Sequence, residues 1–90
     1  MKEYNFYSDD GHGWLAVKRQ ELLKLGIANE ISPYSYQRGD TVYLEEDSDY
    51  TTFFNAKQHC GEKILFNEVY HNGSSWIRSL ERYKHEPVYA

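Results

Sequence analysis

His12 stands between two glycines in Asp9-Asp10-Gly11-His12-Gly13-Trp14. Imidazole titrates near neutral pH, so a histidine on such a turn, with acids beside it, could serve as a general base. The same residues also read as a glycine-shaped start of a strand, with His12 merely polar. The catalytic version needs Asp10 or Glu68 to orient the ring and Arg78 to hold a phosphate, which together would make a small hydrolase or nuclease. A metal is not expected. His12, His59, His71 and His85 show neither the i, i+4 spacing nor the H-x-E pattern that puts two ligands on one helix face. Cys60, the only cysteine, follows His59 directly, and neighbours one residue apart on a helix do not face each other. It reads as a small hydrophobe, and no cofactor is implied.

Two further groups could recognise a partner. Arg78 and Arg82, with Trp76 and Tyr83 close by, suggest a basic aromatic strip able to stack on RNA bases. Against this stand a formal net charge of −4 and a pI of about 5.5, because phosphate-backbone binding needs a cationic surplus. The densest charge feature is Glu45-Glu46-Asp47-Ser48-Asp49, flanked by Tyr43 and Tyr50. As bland chemistry this is a helix cap and a solvated loop. As recognition chemistry it is an acidic knob that meets a basic surface, with tyrosines as amphipathic anchors. Arg38-Gly39-Asp40 spells an adhesion tripeptide but is ordinary turn chemistry.

These residues need elements to hold them. Residues 1–11 read as an extended lead-in turning at Ser8-Asp9-Asp10-Gly11. His12 to Lys18 reads as a first strand, and Arg19 to Leu25 as a two-turn helix closed by Gly26. Ser32 to Glu46 is a hairpin, and burial favours a three-residue loop, Arg38-Gly39-Asp40, that sets Tyr36 against Val42. Asp49 suits the N-cap of a helix over Tyr50 to Cys60, closed by Gly61, with Phe53, Ala56 and Cys60 toward the core. Asn72-Gly73 between Lys63–Tyr70 and Ser75–Tyr83 signals a second hairpin pairing Val69 with Trp76 and Leu65 with Leu80. Residues 84–90 read as a flexible polar tail. The resulting fold class is α+β, a mainly antiparallel sheet with two helices on one face in βαββαββ order. That order matches a ferredoxin-like split β-α-β arrangement with an extra C-terminal strand.

Ninety residues make a single domain, and 40% hydrophobic residues are enough for one core. No run approaches the ~18 apolar residues of a membrane span, and Met1-Lys2-Glu3-Tyr4 leads into no signal-peptide core. One cysteine forms no internal disulfide and suits a reducing cytosol.

Taken together, HGWLAV (12–17), LLKLGIANEISPYSYQRGDTVYLEEDSD (22–49) and SSWIRSLERY (74–83) resemble a family of small uncharacterised proteins encoded by bacteriophages, plasmids and related mobile elements. The resemblance spans roughly residues 11–83 and is most specific over Ser32 to Asp49. It implies an accessory protein in a bacterial cytoplasm, and it carries over no catalytic residue. Small acidic proteins of such elements are frequently inhibitors of host defence. The expectation is therefore a non-enzymatic binder, an anti-CRISPR or similar anti-defence inhibitor of a host complex with a basic surface. Its binding residues would be Tyr36, Arg38, Tyr43, Glu45, Glu46, Asp47 and Tyr50. Neither membrane nor nucleic acid is the expected partner, and a tyrosine-rich surface also suits a homodimer.

Overall fold

The computed structural model describes residues 2–85. The chain forms β1 (Lys2–Ser8), β2 (Gly13–Lys18), α1 (Arg19–Lys24), β3 (Tyr36–Arg38), β4 (Thr41–Glu45), α2 (Asp49–His59), β5 (Ile64–Tyr70) and β6 (Glu81–Arg82), with short 3-10 turns at Ala28–Glu30 and Trp76–Ser79. Six strands join in one mixed sheet of order β5-β1-β2-β4-β3-β6. All pairs are antiparallel except β1 with β5.

The α+β class is as expected, and the order of elements differs at both ends. The expected lead-in is a full strand, β1, whose alternation sends Tyr4 and Phe6 toward the helices and Tyr7 to the opposite face. From β2 to β5 the elements run β-α-β-β-α-β. β2 and β3 are parallel to each other, with β4 between them, which is a split β-α-β unit. The ferredoxin-like expectation is met only in part, over β2, β4 and β3. It is modified by β1, wedged between β2 and β5, and by β6 on the far edge.

Leu22 of α1 and Phe53 of α2 pack in one cluster with Tyr4, Leu15, Val17, Val42 and Leu44, so both helices cover the same face. The other face is covered in its middle and open over β5. Trp14, Tyr36 and Tyr43 form a second, aromatic cluster there, closed by Ile77 from the Trp76–Ser79 turn.

This double burial explains one correction. In the β3–β4 hairpin Arg38 pairs with Thr41, Gln37 with Val42 and Tyr36 with Tyr43, so the loop is Gly39-Asp40 and not Arg38-Gly39-Asp40. Burial does not discriminate between the registers, because Val42 and Leu44 are covered on one face while Tyr36 and Tyr43 are covered on the other. Gly39 has φ +60°, and among the described residues no non-glycine residue has positive φ, the pattern of a type II′ turn.

The second expected hairpin does not form. β5 lies along β1 in a seven-residue parallel ladder from Lys2–Ile64 to Ser8–Tyr70, and Trp76 begins a 3-10 turn instead of a returning strand. The chain then crosses the sheet, and Glu81–Arg82 pairs with β3. Long-range contacts outweigh the local Asn72-Gly73 signal. Asp10 accepts from Gly73 N and Tyr70 OH, Asp9 accepts from Ser75 N, and Ile77 becomes fully buried.

Helix α2 ends as expected at Gly61, with Glu62 N bonded to Lys57 O in a Schellman closure. Its start differs. Ser48 is the N-cap residue, and the Asp49 carboxylate instead accepts from Ser32 N, Ser32 Oγ and Ser35 Oγ, stitching the helix to the loop before β3. Phe53 is buried as expected, Cys60 is exposed, and Lys57 takes the inward position. Lys84 and His85 are exposed, while the remainder of the expected tail lies outside the described residues. Among the described residues no helix is long and apolar enough to cross a membrane.

Candidate functional site

The β1–β2 turn is built on Asp9. Its Oδ1 accepts from the backbone N–H groups of Gly11 and His12, each at 2.9 Å, an Asx turn that fixes the approach to β2. The same carboxylate meets Arg78 twice, at 2.7 Å from Nε and 3.0 Å from Nη2, and takes Ser75 N at 2.9 Å. The Arg78 guanidinium, helped by the Ser75, His12 and Gly11 amides against the opposing effect of desolvation, holds this carboxyl well below the usual carboxylate range.

Thus anchored, Arg78 lies over the Trp14 ring at 5.2 Å. Trp14 meets Tyr36 edge-on at 6.2 Å, and Arg82 lies over Tyr36 at 5.1 Å. The sequence of groups is cation, indole, phenol, cation, with each positive charge on a ring face. His12 stands tilted to the Trp14 ring at 6.2 Å. A cleft of about 500 Å³ opens here, lined by His12, Trp14, Tyr36, Arg78 and Arg82 and by Glu45, Asp47 and Ser48 of the acidic turn.

That turn is held by its own bonds. Glu45 accepts from Asp47 N at 2.5 Å and Ser48 Oγ at 3.2 Å, while Ser35 Oγ supports Glu45 N at 2.9 Å and also binds Asp49.

Of the expected binding residues, the fold brings Tyr36, Glu45 and Asp47 to the cleft. Tyr43 does not line it and is buried in the aromatic cluster with Trp14 and Tyr36, edge-on to Tyr7 and Trp76. Arg38 is exposed near the hairpin tip. Glu46 turns toward the start of β2, where its N–H donates to Gly13 O at 3.1 Å. Tyr50 belongs to the helix-bearing face, half-buried against Phe6, Phe54 and Phe66.

The rival groupings are divided as well. His12 and Arg78 share the cleft, but Arg78 is bonded to Asp9, Asp10 to Tyr70 and Gly73, and Glu68 lines a groove with Phe6, Tyr50 and Phe66 on the other face. Tyr83, expected to stack on bases, is buried, and its hydroxyl donates to Ala28 O at 2.5 Å. Among the described residues no three His, Cys, Asp or Glu side chains come together as a metal site.

The sequence reading missed a second polar centre. Lys57 Nζ reaches Glu21 at 2.7 Å and also pairs with Glu62. Tyr4 OH donates to Glu21 at 2.6 Å, and Lys2 Nζ stands 3.2 Å away. Burial opposes both charges, and the pairing outweighs it. Glu21 is lowered and Lys57 raised from their ordinary values, while burial and the Glu21 carboxylate push Tyr4 up to about 12. The centre borders a cleft of about 780 Å³ that gathers Lys2, Lys18, Lys24, Lys57 and Lys63, five of the six lysines of the chain. Position 57 lies on the inward stripe of α2 with Phe53, and that spacing was the available signal.

Fold and cleft together define a small α+β domain with an open mixed sheet and one aromatic, acid-rimmed face. No family model matches the chain, and no curated protein or solved structure matches it either.

Proposed function

We propose that the chain is a non-enzymatic protein-binding module. In this reading it is an accessory protein of a phage or mobile element that inhibits a host defence complex by occupying a basic, nucleic-acid-handling surface. The observation that carries this is the preorganised acidic turn at the rim of an aromatic cleft. Glu45 and Asp47 stand on one wall, Trp14 and Tyr36 line the cleft, and Asp49 ties the turn to Ser32 and Ser35. A basic side chain from a partner would find the Glu45 and Asp47 carboxylates beside it, while Arg78 and Arg82 already cover the Trp14 and Tyr36 rings. Little ordering entropy would be lost, because the turn already has its shape. A binder is favoured over a hydrolase because the acids near His12 are committed elsewhere, Asp9 to Arg78 and Asp10 to Tyr70 and Gly73.

The test is a tagged pull-down from a defence-proficient bacterium at low and moderate salt, with partners identified by mass spectrometry. A stoichiometric protein partner should be captured, released as salt rises, and lost with Glu45→Ala/Glu46→Ala/Asp47→Ala while the variant keeps a cooperative melt. Equal capture by the triple variant at low salt would refute the acidic-turn reading.

A further inference from the structure

We propose that the open edge of β5 is a homodimer interface, in which two copies pair their β5 strands antiparallel about a two-fold axis at Asn67. Among the described residues β5 pairs only with β1, so one side of a seven-residue strand is left without a partner. Four of the seven exposed large hydrophobic residues among the described residues lie on this strand: Leu65, Phe66, Val69 and Tyr70, at 48%, 46%, 39% and 61% exposure. Strands at a sheet edge are ordinarily blunted by a lysine, a proline, a bulge or short length. Ile64–Tyr70 has none of these, and its single charge is Glu68.

Ladder geometry restricts the pairing. His71 N donates to Ser8 O, and a parallel ladder uses alternate residues. The backbone groups of Leu65, Asn67 and Val69 therefore point to β1, and those of Ile64, Phe66, Glu68 and Tyr70 point to the open edge. An antiparallel partner must set outward residues opposite outward residues. Centring on Glu68 would oppose that charge to itself. Centring on Phe66 leaves Tyr70 beyond the partner's strand.

Centring on Asn67 pairs the whole strand. Phe66 then faces the second copy's Glu68, Leu65 faces its Val69, and Ile64 faces its Tyr70, with no like charges opposed. Asn67 donates to Asn5 Oδ1 at 3.0 Å, so its side chain is already held at the axis. Apolar cover continues on both faces. Val69 pairs with Tyr7, which meets Trp76 at 5.6 Å, and Phe66 shares a groove with Phe6 and Tyr50. The occupant favoured by this self-complementarity is a second copy, because the contact is isologous and closes at two. The edge lies at the opposite end of the sheet from β3 and β6, so it does not depend on the acidic-turn reading.

The experiment is analytical ultracentrifugation of the full chain over micromolar to near-millimolar concentration, with Asn67→Asp and Asn67→Lys. The parent should dimerise, and each variant should weaken the dimer on the order of tenfold by opposing like charges at the axis. An equimolar mixture of the two variants should form a heterodimer seen by native mass spectrometry. Glu68→Pro removes an outward N–H without touching the β1 ladder and should give a folded monomer by circular dichroism. A parent that stays monomeric throughout, capturing only foreign strands or nothing, overturns the proposal. So does a dimer indifferent to both Asn67 substitutions with no heterodimer preference on mixing.

Discussion

The buried Glu21–Lys57 pair offers a quantitative test of how this fold tolerates charge. Lys57→Met keeps the length and apolar stem of the side chain while removing its ammonium group. Glu21 then keeps only the Tyr4 hydroxyl at 2.6 Å and the Lys2 ammonium at 3.2 Å, and Lys2 is mostly exposed. Orphaning one member of a buried pair costs about 3–5 kcal/mol; because Lys2 remains, the lower end, ~3 kcal/mol, is expected here. For a chain of this size that is a drop in melting temperature on the order of 15 °C.

The pH dependence should change sign. In the parent, Glu21 is lowered below its unfolded value, so its contribution is present above that value and lost as pH falls through the folded one. In Lys57→Met burial, the largest single influence on Glu21, is opposed only by the Tyr4 hydroxyl and the exposed Lys2, and it raises the carboxyl relative to the parent. Its cost is then fully present at neutral pH and fades as pH falls through the raised folded value and acid protonates it. Urea unfolding followed by circular dichroism at neutral and mildly acidic pH measures both effects. The double variant Glu21→Gln/Lys57→Met should recover most of the loss, since neither charge is left buried. A single variant as stable as the parent at neutral pH, or a deficit that does not shrink on acidification, would refute the reasoning.

Two more outcomes follow from the turn between β1 and β2. Asp9→Asn should lower stability at neutral pH and flatten the acid unfolding curve, because Arg78 and three amides hold the Asp9 carboxyl below its unfolded value and its contribution is lost only as pH falls below about 4; a parent-like acid midpoint would count against it. Gly13→Ala should destabilise by ~1–3 kcal/mol through overpacking, since an added Cβ would stand 2.5 Å from the Phe6 ring, and a chemical melt compared with the parent measures it.

Much of the fold was legible where the signal was local. Gly26 and Gly61 close the two helices as their positions imply, with φ of +73° and +75°. Phe53 sits inward on its helical stripe. Tyr36, Glu45 and Asp47 do meet at one cleft, because the β3–β4 hairpin and the turn after β4 are neighbours in sequence. Cys60, expected in the core, is exposed, and Lys57 is buried. Both lie on the inward stripe, and apolarity favours the cysteine, yet Glu21 comes from α1 to neutralise the lysine and carries it inside. Asp49 was misread for a similar reason. Its position is a good cap, but three donors on Ser32 and Ser35 compete for its carboxylate more strongly than its own helix does.

By itself the sequence determined the α+β class, the β-α-β-β-α-β run from β2 to β5, and the glycines that end each helix. These depend on periodicity and on groups a few residues apart, which a linear reading contains. Only the tertiary structure decided that residues 2–8 are a strand between β2 and β5, that Ile64–Tyr70 runs parallel to it, and that Asp9 holds Arg78 from 69 residues away. A strand's partner and a buried charge's counterion are chosen by which surfaces can be covered at once. That choice compares contacts across the whole chain, so the Asn72-Gly73 turn, sound as a local signal, lost to Ile77 and Ser75 reaching the aromatic face.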